Sequence, residues 1–338
     1  MTSVPFYPHI GGIETVTENL ANEFSRRDDI EVKVVTATTE EGDRTFPYEV
    51  YRNPDRKTLW RLYRWCDVFV HQGISLKWVW PLFLKRKPWF IVYHQVYYQK
   101  GYKGKIKELC SHLSTHNIAV SETTARGYGL KNYTTILNSF NGDYYRITNT
   151  AERRDIVFLG KVTKAKGVHI LLDAFEKFKD QTGSDYQLTI IGDSGENSSE
   201  YEYMKSYASK LKHITDVHFV GPKYPQEIAP ILNAHKIQVV PSTYMEAFGV
   251  VCLEGMSCGC VVIGSDGDGI SEAIHDCGFL MRKGDSDDLC EKMKVCAQLS
   301  TGEVSKLQAA AAKWLNELSL ENVANRYIKV FSRYIHKK

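Results

Sequence analysis

The sequence has no apolar run long enough to cross a membrane. Its most apolar stretch, ISLKWVWPLFL at 74–84, is interrupted by Lys77 and Pro81, whereas a spanning helix needs about 20 apolar residues. The first residues also lack a charged leader followed by an apolar core, so no secretory signal peptide is expected. These absences predict a cytoplasmic protein.

The eight cysteines include no Cys-x-x-Cys pair, which is a common sequence sign of a zinc or redox site. A zinc cluster of Cys252, Cys258, Cys260 and Cys277 is conceivable. Reduced thiols in the core of a cytosolic protein are the better interpretation.

A dinucleotide fingerprint is also missing. An NAD-dependent oxidoreductase would carry Gly-x-Gly-x-x-Gly after its first strand. The nearest match, GSDGDG at 264–269, has its glycines in the wrong order and comes late in the chain. This class of enzyme is therefore disfavoured.

Length and composition indicate a globular protein of two domains. The chain has 338 residues, 43% of them hydrophobic and 25% charged, which suits two domains of roughly 150 residues. Its net charge is only +3, but residues 50–131 hold fifteen Lys or Arg against four acids. That imbalance indicates a basic surface in the first half.

Two series of short β-branched runs alternate with helical patterns, which predicts two parallel sheets covered on both faces. The predicted strands are 32–36, 67–71, 89–93, 117–120 and 134–137, then 156–160, 188–192, 217–221, 237–242 and 260–264. The predicted helices include 13–26, 167–182, 198–211, 225–234 and 249–258. The polar stretch at 141–155 separates two Rossmann-like domains, 1–145 and 146–320.

The final segment, 321–338, carries one apolar helical face formed by Val323, Tyr327, Val330, Phe331 and Tyr334. Two placements fit this pattern. The helix packs back on the first domain, or it is an ordinary surface helix of the second domain.

Two motifs stand where a doubly wound sheet binds ligands, beyond the carboxyl ends of strands. Gly11 and Gly12 precede a helix whose N-terminus offers free N–H groups to an anion, although a bare turn has the same appearance. The strand before them is very short or incomplete. Lys161 and Lys166 follow another strand, where two cations suit a diphosphate, and solvated lysines are the alternative.

The third motif is EAFGVVCLEGMSCG at 246–259, which holds two glutamates eight positions apart. Glu246 precedes Phe248 and Gly249 at a helix start, and Glu254 falls inside that helix. Acids at this spacing can accept hydrogen bonds from two sets of hydroxyls along one extended ligand, and sugars and riboses present such hydroxyls.

With these motifs the chain resembles the retaining nucleotide-sugar glycosyltransferases of the GT-B fold, specifically glycosyltransferase family four. The resemblance covers PHIGGIE, GKVTKAKG, LTIIGDS, VHFVG, KGDSDDL and, most specifically, the stretch from VVPS to SEAI. It implies two Rossmann-like domains that face each other across a cleft.

The resemblance also implies a role for each matched residue. Gly11 and Gly12 would approach the donor phosphates, Lys161 and Lys166 would bind the diphosphate, and His94 would lie near the transferred sugar. Glu246 would hold the sugar hydroxyls and Glu254 the ribose hydroxyls. The remaining donor contacts would come from Ala247, Phe248, Gly249 and Val250 at the sugar, and from Gly192, Pro222 and Lys223 around the base. The family more often has Arg where Lys161 stands, and lysine keeps the charge but lacks the planar fork of arginine.

No metal ion and no other cofactor is expected in this scheme. The acidic run at 285–288 precedes a late helix and is interpreted as its N-cap rather than as a set of ligands for a divalent ion. Lysines and a helix dipole would stabilise the leaving diphosphate instead. Lys166, Glu246 and His94 are therefore the predicted catalytic residues.

The acceptor is predicted to be a saccharide or a lipid-linked saccharide. Residues 59–109 interleave Lys and Arg with Trp and Tyr, a mixture typical of proteins that bind anionic membrane surfaces, while no recognition fold for nucleic acid accompanies it. The alternative is that the aromatics are core and the lysines solvated. An inactive nucleotide-sugar-binding subunit is the main alternative to an enzyme, and the short N-terminus supports it.

Overall fold

The computed structural model describes residues 1–9, 11–96, 101–148, 153–194 and 198–335. The chain divides into two units, Met1–Ser139 with Leu318–Lys338, and Phe140–Glu317. Within the described residues each unit holds one sheet, of seven and of six strands, and every strand pair is parallel. The prediction of two parallel α/β domains is confirmed.

The first unit has strand order β3-β2-β1-β4-β5-β6-β7. Its strands are β1 (Thr2–Ser3), β2 (Lys33–Thr36), β3 (Glu49–Arg52), β4 (Phe69–Gln72), β5 (Trp89–Tyr93), β6 (His116–Ala119) and β7 (Tyr133–Thr135). Its helices are α1 (Gly12–Ser25), α2 (Arg56–Trp65), α3 (Trp80–Leu84), α4 (Tyr102–Leu113), α5 (Glu122–Tyr128) and, from the end of the chain, α13 (Leu320–Ile335).

The second unit has strand order β10-β9-β8-β11-β12-β13. Its strands are β8 (Arg154–Leu159), β9 (Leu188–Ile191), β10 (Val217–Gly221), β11 (His235–Val240), β12 (Val261–Ser265) and β13 (Phe279–Met281). Its helices are α6 (Val168–Thr182), α7 (Ser198–Ala208), α8 (Pro225–Ala234), α9 (Val250–Ser257), α10 (Gly269–Ile274), α11 (Ser286–Gln298) and α12 (Thr301–Glu317), with a short 3-10 helix at Ile214–Asp216.

The ten predicted strands all occur within two residues of their expected bounds, because each is a run of β-branched or aromatic residues. The run WFIVY forms β5 with all five residues buried, as expected for a strand covered on both faces. Three strands were not predicted. β1 has only two residues, and β3 and β13 lie at sheet edges, where their side chains stay partly exposed and the apolar signal is weak.

Helix α13 packs against α1 within the first unit. The ring centroid of Phe24 lies 6.5 Å from that of Tyr327 and 6.3 Å from that of Phe331. Arg27 donates a hydrogen bond to Asn325 at 2.7 Å. Val323, Tyr327 and Val330, which the sequence places on one apolar face, are buried. The chain therefore leaves the first unit after Ser139 and returns to it at Leu318.

Among the described helices, none is both long and apolar enough to cross a membrane. The basic aromatic stretch at 59–109 divides between core and surface. Tyr63, Trp78 and Trp89 are buried, whereas Trp65 and Tyr102 are exposed. Residues 97–100, which belong to the same predicted stretch, lie outside the described residues.

Candidate functional site

The strand order of the second sheet reverses beside its first strand. β8 pairs with β9 on one side and with β11 on the other, so the chain winds away from β8 in both directions. In parallel sheets the crevice beyond the carboxyl ends of such a strand pair is the usual ligand site. The loops that follow β8 and β11 carry the predicted Lys161, Lys166 and Glu246. The fold therefore brings these three residues together beyond the carboxyl ends of two central strands.

The two loops pack directly on each other. Gly167 has φ 73°, and a Cβ there would lie 1.9 Å from the carbonyl oxygen of Pro241, so only glycine fits. The Thr243 amide donates to the Ala165 carbonyl at 2.9 Å, and the Thr243 hydroxyl donates to the Lys164 carbonyl at 3.0 Å. These backbone contacts hold Lys166 beside the segment 242–246.

Lys166 and Glu246 form an ion pair with 2.5 Å between Nζ and Oε1. The Glu246 carboxylate also accepts hydrogen bonds from Ser242 and from Tyr244, each at 2.7 Å. The ammonium of Lys166 lies 5.1 Å from the centroid of the Tyr244 ring, within range of a cation–π contact. Glu246 is therefore a well-oriented acceptor whose charge is matched by a neighbouring cation.

The pKa values of this cluster follow from its partial burial. Burial lowers the pKa of Lys166, but attraction to Glu246 and Tyr244 outweighs burial, so the pKa lies above its ordinary value. Burial raises the pKa of Tyr244 to about 12, although Lys166 opposes that rise. At neutral pH the cluster therefore contains a charged lysine and a neutral tyrosine.

Glu254 lies in a different environment, within α9. This helix begins after Gly249, whose φ of 124° turns the chain into it, and it packs closely on β11 at Gly255, where a Cβ would lie 1.8 Å from Gln238 Oε1. Glu254 is half-buried, and burial raises its pKa to about 7. A hydrogen bond with Tyr145 opposes part of this rise. The two acids of the motif thus differ: one is paired with a cation and the other with a hydroxyl.

The other predicted donor contacts follow neighbouring strands of the second sheet. Lys161 comes after β8, is exposed, and has no hydrogen-bond or ion-pair partner for its side chain among the described residues. Gly192 comes after β9 with φ 125°, and a Cβ there would lie 2.0 Å from the Gly160 carbonyl oxygen. Pro222 and Lys223 come after β10 and are exposed, with Lys223 Nζ 3.4 Å from Glu227. All four lie at carboxyl ends of adjacent strands.

Ala247, Phe248, Gly249 and Val250 connect Glu246 to α9. Phe248 is buried at 2% exposure, so its side chain belongs to the core and only its backbone can serve a ligand. Gly269 lies directly against the same segment, since a Cβ at Gly269 would be only 2.4 Å from the Ala247 carbonyl carbon. The residues that lead into α9 therefore pack closely against the start of α10.

The first unit holds the remaining predicted residues. Gly12 is the first residue of α1. A Cβ at Gly12 would have no atom of the described residues within 4 Å. At Gly11 a Cβ would meet only the mobile end of Glu14. His94 follows β5, and its Nε2 lies 2.7 Å from Oε1 of the buried Gln72 at the end of β4. Burial lowers the pKa of His94 to about 4, so the imidazole is neutral at physiological pH.

The acidic run at 285–288 caps a helix, as predicted. The Asp285 side chain accepts hydrogen bonds from the amides of Asp287 and Asp288 at the start of α11. Within the part of the chain that the structure describes, no group of three or more His, Cys, Asp or Glu side chains has an arrangement suited to a metal ion. The cysteines are free thiols, and all but Cys66 are buried.

Sequence reasoning did not identify Ser242, Tyr244 or Tyr145. Ser242 and Tyr244 lie within four residues of Glu246, so their proximity was visible, but which side chains point to the carboxylate was not. Tyr145 is more than a hundred residues from Glu254 in sequence, and only the tertiary structure shows the contact.

Comparison with known proteins gives a consistent result. A family model described as "Glycosyl transferases group 1" matches residues 146–314, which is half of the chain. The D-inositol 3-phosphate glycosyltransferase of Corynebacterium jeikeium (strain K411) is 29% identical over 168 residues. That match covers 47% of this chain and 40% of the relative, so the chain spans less than half of that protein's length.

Two solved structures share the fold over nearly the whole chain. A glycosyltransferase from Rickettsia africae ESF-5 superimposes with a TM-score of 0.82 at 17% identity. The match covers 100% of this chain and 98% of the Rickettsia chain. Anabaena HepE in complex with UDP has a TM-score of 0.79 at 18% identity, with 98% of each chain covered. The fold is that of the GT-B glycosyltransferases, as the sequence resemblance implied.

Proposed function

The chain belongs to the glycosyl transferases group 1 family, and from that membership we propose that it is a retaining enzyme of glycosyltransferase family four. It transfers a sugar from a nucleotide sugar to a hydroxyl group of a saccharide or lipid-linked saccharide in glycan biosynthesis. The observation that carries the proposal is the ion pair of Lys166 and Glu246, which lies beyond the carboxyl ends of β8 and β11, the usual ligand position of a doubly wound sheet.

The two lysines that follow β8 are suited to bind a diphosphate. Lys166 is held beside Glu246 by the packing of two loops, and Lys161 is exposed on the same loop. When the bond between sugar and phosphate breaks, negative charge develops on the diphosphate, and preorganised cations stabilise it. In this proposal the lysines and the N-terminus of α9 do this work, and the enzyme requires no metal ion.

The two glutamates suit hydroxyl groups. Glu246 accepts three hydrogen bonds from protein donors, and in the proposal hydroxyls of the transferred sugar replace some of these donors. Glu254 accepts the ribose hydroxyls in place of, or beside, Tyr145. The backbone of residues 247–250 supports the sugar, and Gly192, Pro222 and Lys223 flank the base.

The proposed membership of family four implies retention of configuration, and in this proposal no nucleophilic carboxylate is needed. The acceptor hydroxyl attacks on the side from which the diphosphate leaves. Gly11, Gly12 and His94 of the first unit complete the proposed machinery, with the glycines at the phosphates and the neutral imidazole near the transferred sugar.

The donor is proposed to be a UDP-sugar, since Anabaena HepE, whose fold is shared, was solved with UDP. The decisive experiment is a panel of UDP-, GDP- and ADP-sugars, tested first for thermal stabilisation of the protein and then for release of the nucleoside diphosphate. Stabilisation and release with a UDP-sugar are expected, and retention is read from the anomeric configuration of the product. If the protein binds a nucleotide sugar but transfers the sugar to none of the acceptors tested, the inactive nucleotide-sugar-binding subunit would be favoured instead.

We further propose that the protein docks on the anionic cytoplasmic face of the plasma membrane through a surface formed by α4 and the end of α3. Tyr102, Ile106, Leu109 and Leu113 recur at helical spacing and are 43–71% exposed. Lys103 and Lys105 are exposed beside this row. An apolar row flanked by lysines is suited to the interface of an anionic bilayer.

The end of α3 adds two exposed apolar residues, Phe83 at 69% and Leu84 at 67%. Lys85 and Arg86, both exposed, follow directly. Leu82 of α3 packs against the core cluster that contains Cys110 of α4 and the β5 residues Trp89 and Ile91, so the two helices cover the same face of the first sheet. Of the aromatics in the other proposed segments, Tyr63, Trp78 and Trp89 are buried in the core.

A further inference from the structure

A second ion pair lies beside the candidate site, between Asp268 and Lys283. Asp268 follows β12 and caps α10, where its Oδ1 accepts a hydrogen bond from the Ile270 amide at 3.0 Å. Lys283 follows β13. The Asp268 side chain is fully buried, and 29% of the Lys283 side chain is exposed. Both residues stand at carboxyl ends of strands that continue the sheet beyond β11.

The contacts of this pair converge on the three residues Tyr244–Glu246. Lys283 Nζ donates a hydrogen bond to the Tyr244 carbonyl at 3.3 Å. The Glu246 amide donates to Asp268 Oδ2 at 3.2 Å. The Gly269 amide, next to Asp268, donates to the Glu246 carbonyl at 3.2 Å. The backbone of Glu246 is therefore held on both its N–H and its C=O side.

The burial of Asp268 makes the pair interdependent. A buried carboxylate is costly unless a cation and hydrogen-bond donors surround it, and Asp268 has Lys283, the Ile270 amide and the Glu246 amide. Without Lys283, the carboxylate would keep only the two backbone donors. Its negative charge would no longer be balanced by a cation, so its repulsion of the nearby Glu246 carboxylate would increase. The loop would also lose the hydrogen bond from Lys283 to the Tyr244 carbonyl.

We propose that Asp268 and Lys283 are positioning residues that orient Glu246 toward the transferred sugar. The inference rests on the proposed function, and neither residue is proposed to touch the donor. The direction of the Glu246 side chain depends on its backbone, which this pair holds in place. Ser242, Lys166 and Tyr244 orient the carboxylate group through hydrogen bonds. Hydroxyl contacts of a reacting sugar depend on such placement, since a misplacement of about 1 Å can cost about 100-fold in rate.

The test uses Lys283→Met, which keeps an unbranched side chain and removes the charge, and the double variant Asp268→Asn with Lys283→Met. The probes are UDP-glucose and UDP, or the donor that the sugar-nucleotide panel selects and its nucleoside diphosphate. We expect Lys283→Met to lower kcat/KM by about 10- to 100-fold. The affinity for UDP, which has no sugar for Glu246 to hold, is expected to change less than about twofold, well below the tenfold that corresponds to 1.4 kcal/mol.

The double variant separates positioning from stability. Replacing Asp268 by Asn removes the unpaired buried charge, so part of the thermal stability lost in Lys283→Met should return. The transfer rate should stay low, because the bridge from Asp268 to Lys283 and the Tyr244 carbonyl is still missing. Lys283→Arg keeps a cation and is expected to recover activity in part. Lys294→Met, which removes a surface ion pair to Glu291 on α11, is the matched control and should leave transfer unchanged.

Two results would overturn the proposal. One is a folded Lys283→Met protein that transfers sugar at the wild-type rate. The other is an equal loss of affinity for UDP and for UDP-glucose, which would mean a general disturbance of the site. If the wild-type protein binds donors without turnover, the proposed function fails, and the ratio of UDP-glucose to UDP affinity still tests whether the pair supports the sugar contact.

Discussion

Lys166 Nζ lies 2.5 Å from Glu246 Oε1, so the cation and the carboxylate assigned to different parts of the donor are paired with each other. The side chains are 27% and 13% exposed, so the pair is partly desolvated and its attraction is less screened by water than that of a surface ion pair. A donor that binds as proposed would bring its diphosphate to Lys166 and its sugar hydroxyls to Glu246. The two groups to which the proposal gives neighbouring parts of the donor are thus already adjacent in the structure.

Glu246→Ala is expected to abolish transfer while the fold stays intact. The variant loses the acceptor for the sugar hydroxyls and should lower kcat/KM by at least about 100-fold, the scale of removing a strong transition-state contact. Circular dichroism and thermal unfolding report the fold, and nucleoside diphosphate release reports transfer. Near-full activity in the variant would remove Glu246 from the proposed role.

Lys166→Ala is expected to weaken binding of the nucleoside diphosphate itself. The loss should reach about tenfold or more, since hydrogen bonds to charged groups contribute about 1.5–3 kcal/mol. Titration calorimetry with UDP measures it. Lys161→Ala is the comparison on the same loop, and a smaller loss is expected there because Lys161 is exposed. Unchanged UDP affinity in Lys166→Ala would count against the diphosphate assignment.

Donor binding is expected to strengthen as pH rises through the pKa of Glu254. That pKa is raised from 4.5 to about 7, and ribose hydroxyls donate best to the ionised carboxylate. Well below pH 7, affinity should therefore fall by about tenfold per pH unit, and binding should release a proton. Calorimetry in buffers of different ionisation enthalpy measures this release.

Glu254→Gln is the control, because its side chain does not titrate and the pH dependence should disappear. The stability of the unliganded protein should respond in the opposite direction. The folded state holds the Glu254 proton more tightly than the unfolded chain, so the contribution of this group is present at low pH and is lost as pH rises through about 7. An unchanged pH slope of affinity in Glu254→Gln would exclude the ribose assignment.

Gly12→Ala is expected to fold normally and to lose transfer. A Cβ at Gly12 meets nothing within 4 Å of the described residues, and Ala in a helix is more stable than Gly by up to about 1 kcal/mol. Gly302→Ala is a matched control, since Gly302 is also exposed in a first helical turn and also has no atom near its Cβ position. Equal activity of the two variants would show that no donor phosphate approaches Gly12.

Ile106→Ser with Leu109→Ser is expected to abolish binding to liposomes that contain anionic lipid. Both side chains are exposed on α4, so the fold should not change, and apolar insertion would lose about 25 cal/mol for each Å² no longer buried. Sedimentation with vesicles at low salt measures binding. Val295→Ser, at another exposed apolar residue on α11, should bind as the wild type does. A wild-type protein that ignores anionic vesicles would end the membrane proposal.

Much of the fold could be predicted because its strands are continuous apolar runs, and WFIVY at β5 is the clearest example. The edge strand β3 (EVYR) has no such run, since neighbours cover only part of its surface. Within the site, Lys166 and Glu246 were named from their motifs. Asp268 and Lys283 were not, because the contacts that join them to each other and to the backbone of Tyr244 and Glu246 leave no periodic pattern in the sequence.

The return of the chain at Leu318 makes the second unit an insertion within the first. During synthesis the segment 140–317 can complete its own sheet and helices as one uninterrupted piece, whereas α1 must wait for α13 to cover Phe24. Until the ribosome has released residues 320–335, that aromatic face stays open to water and to aggregation. We therefore expect the second unit to complete its packing before the first, although translation begins with the first.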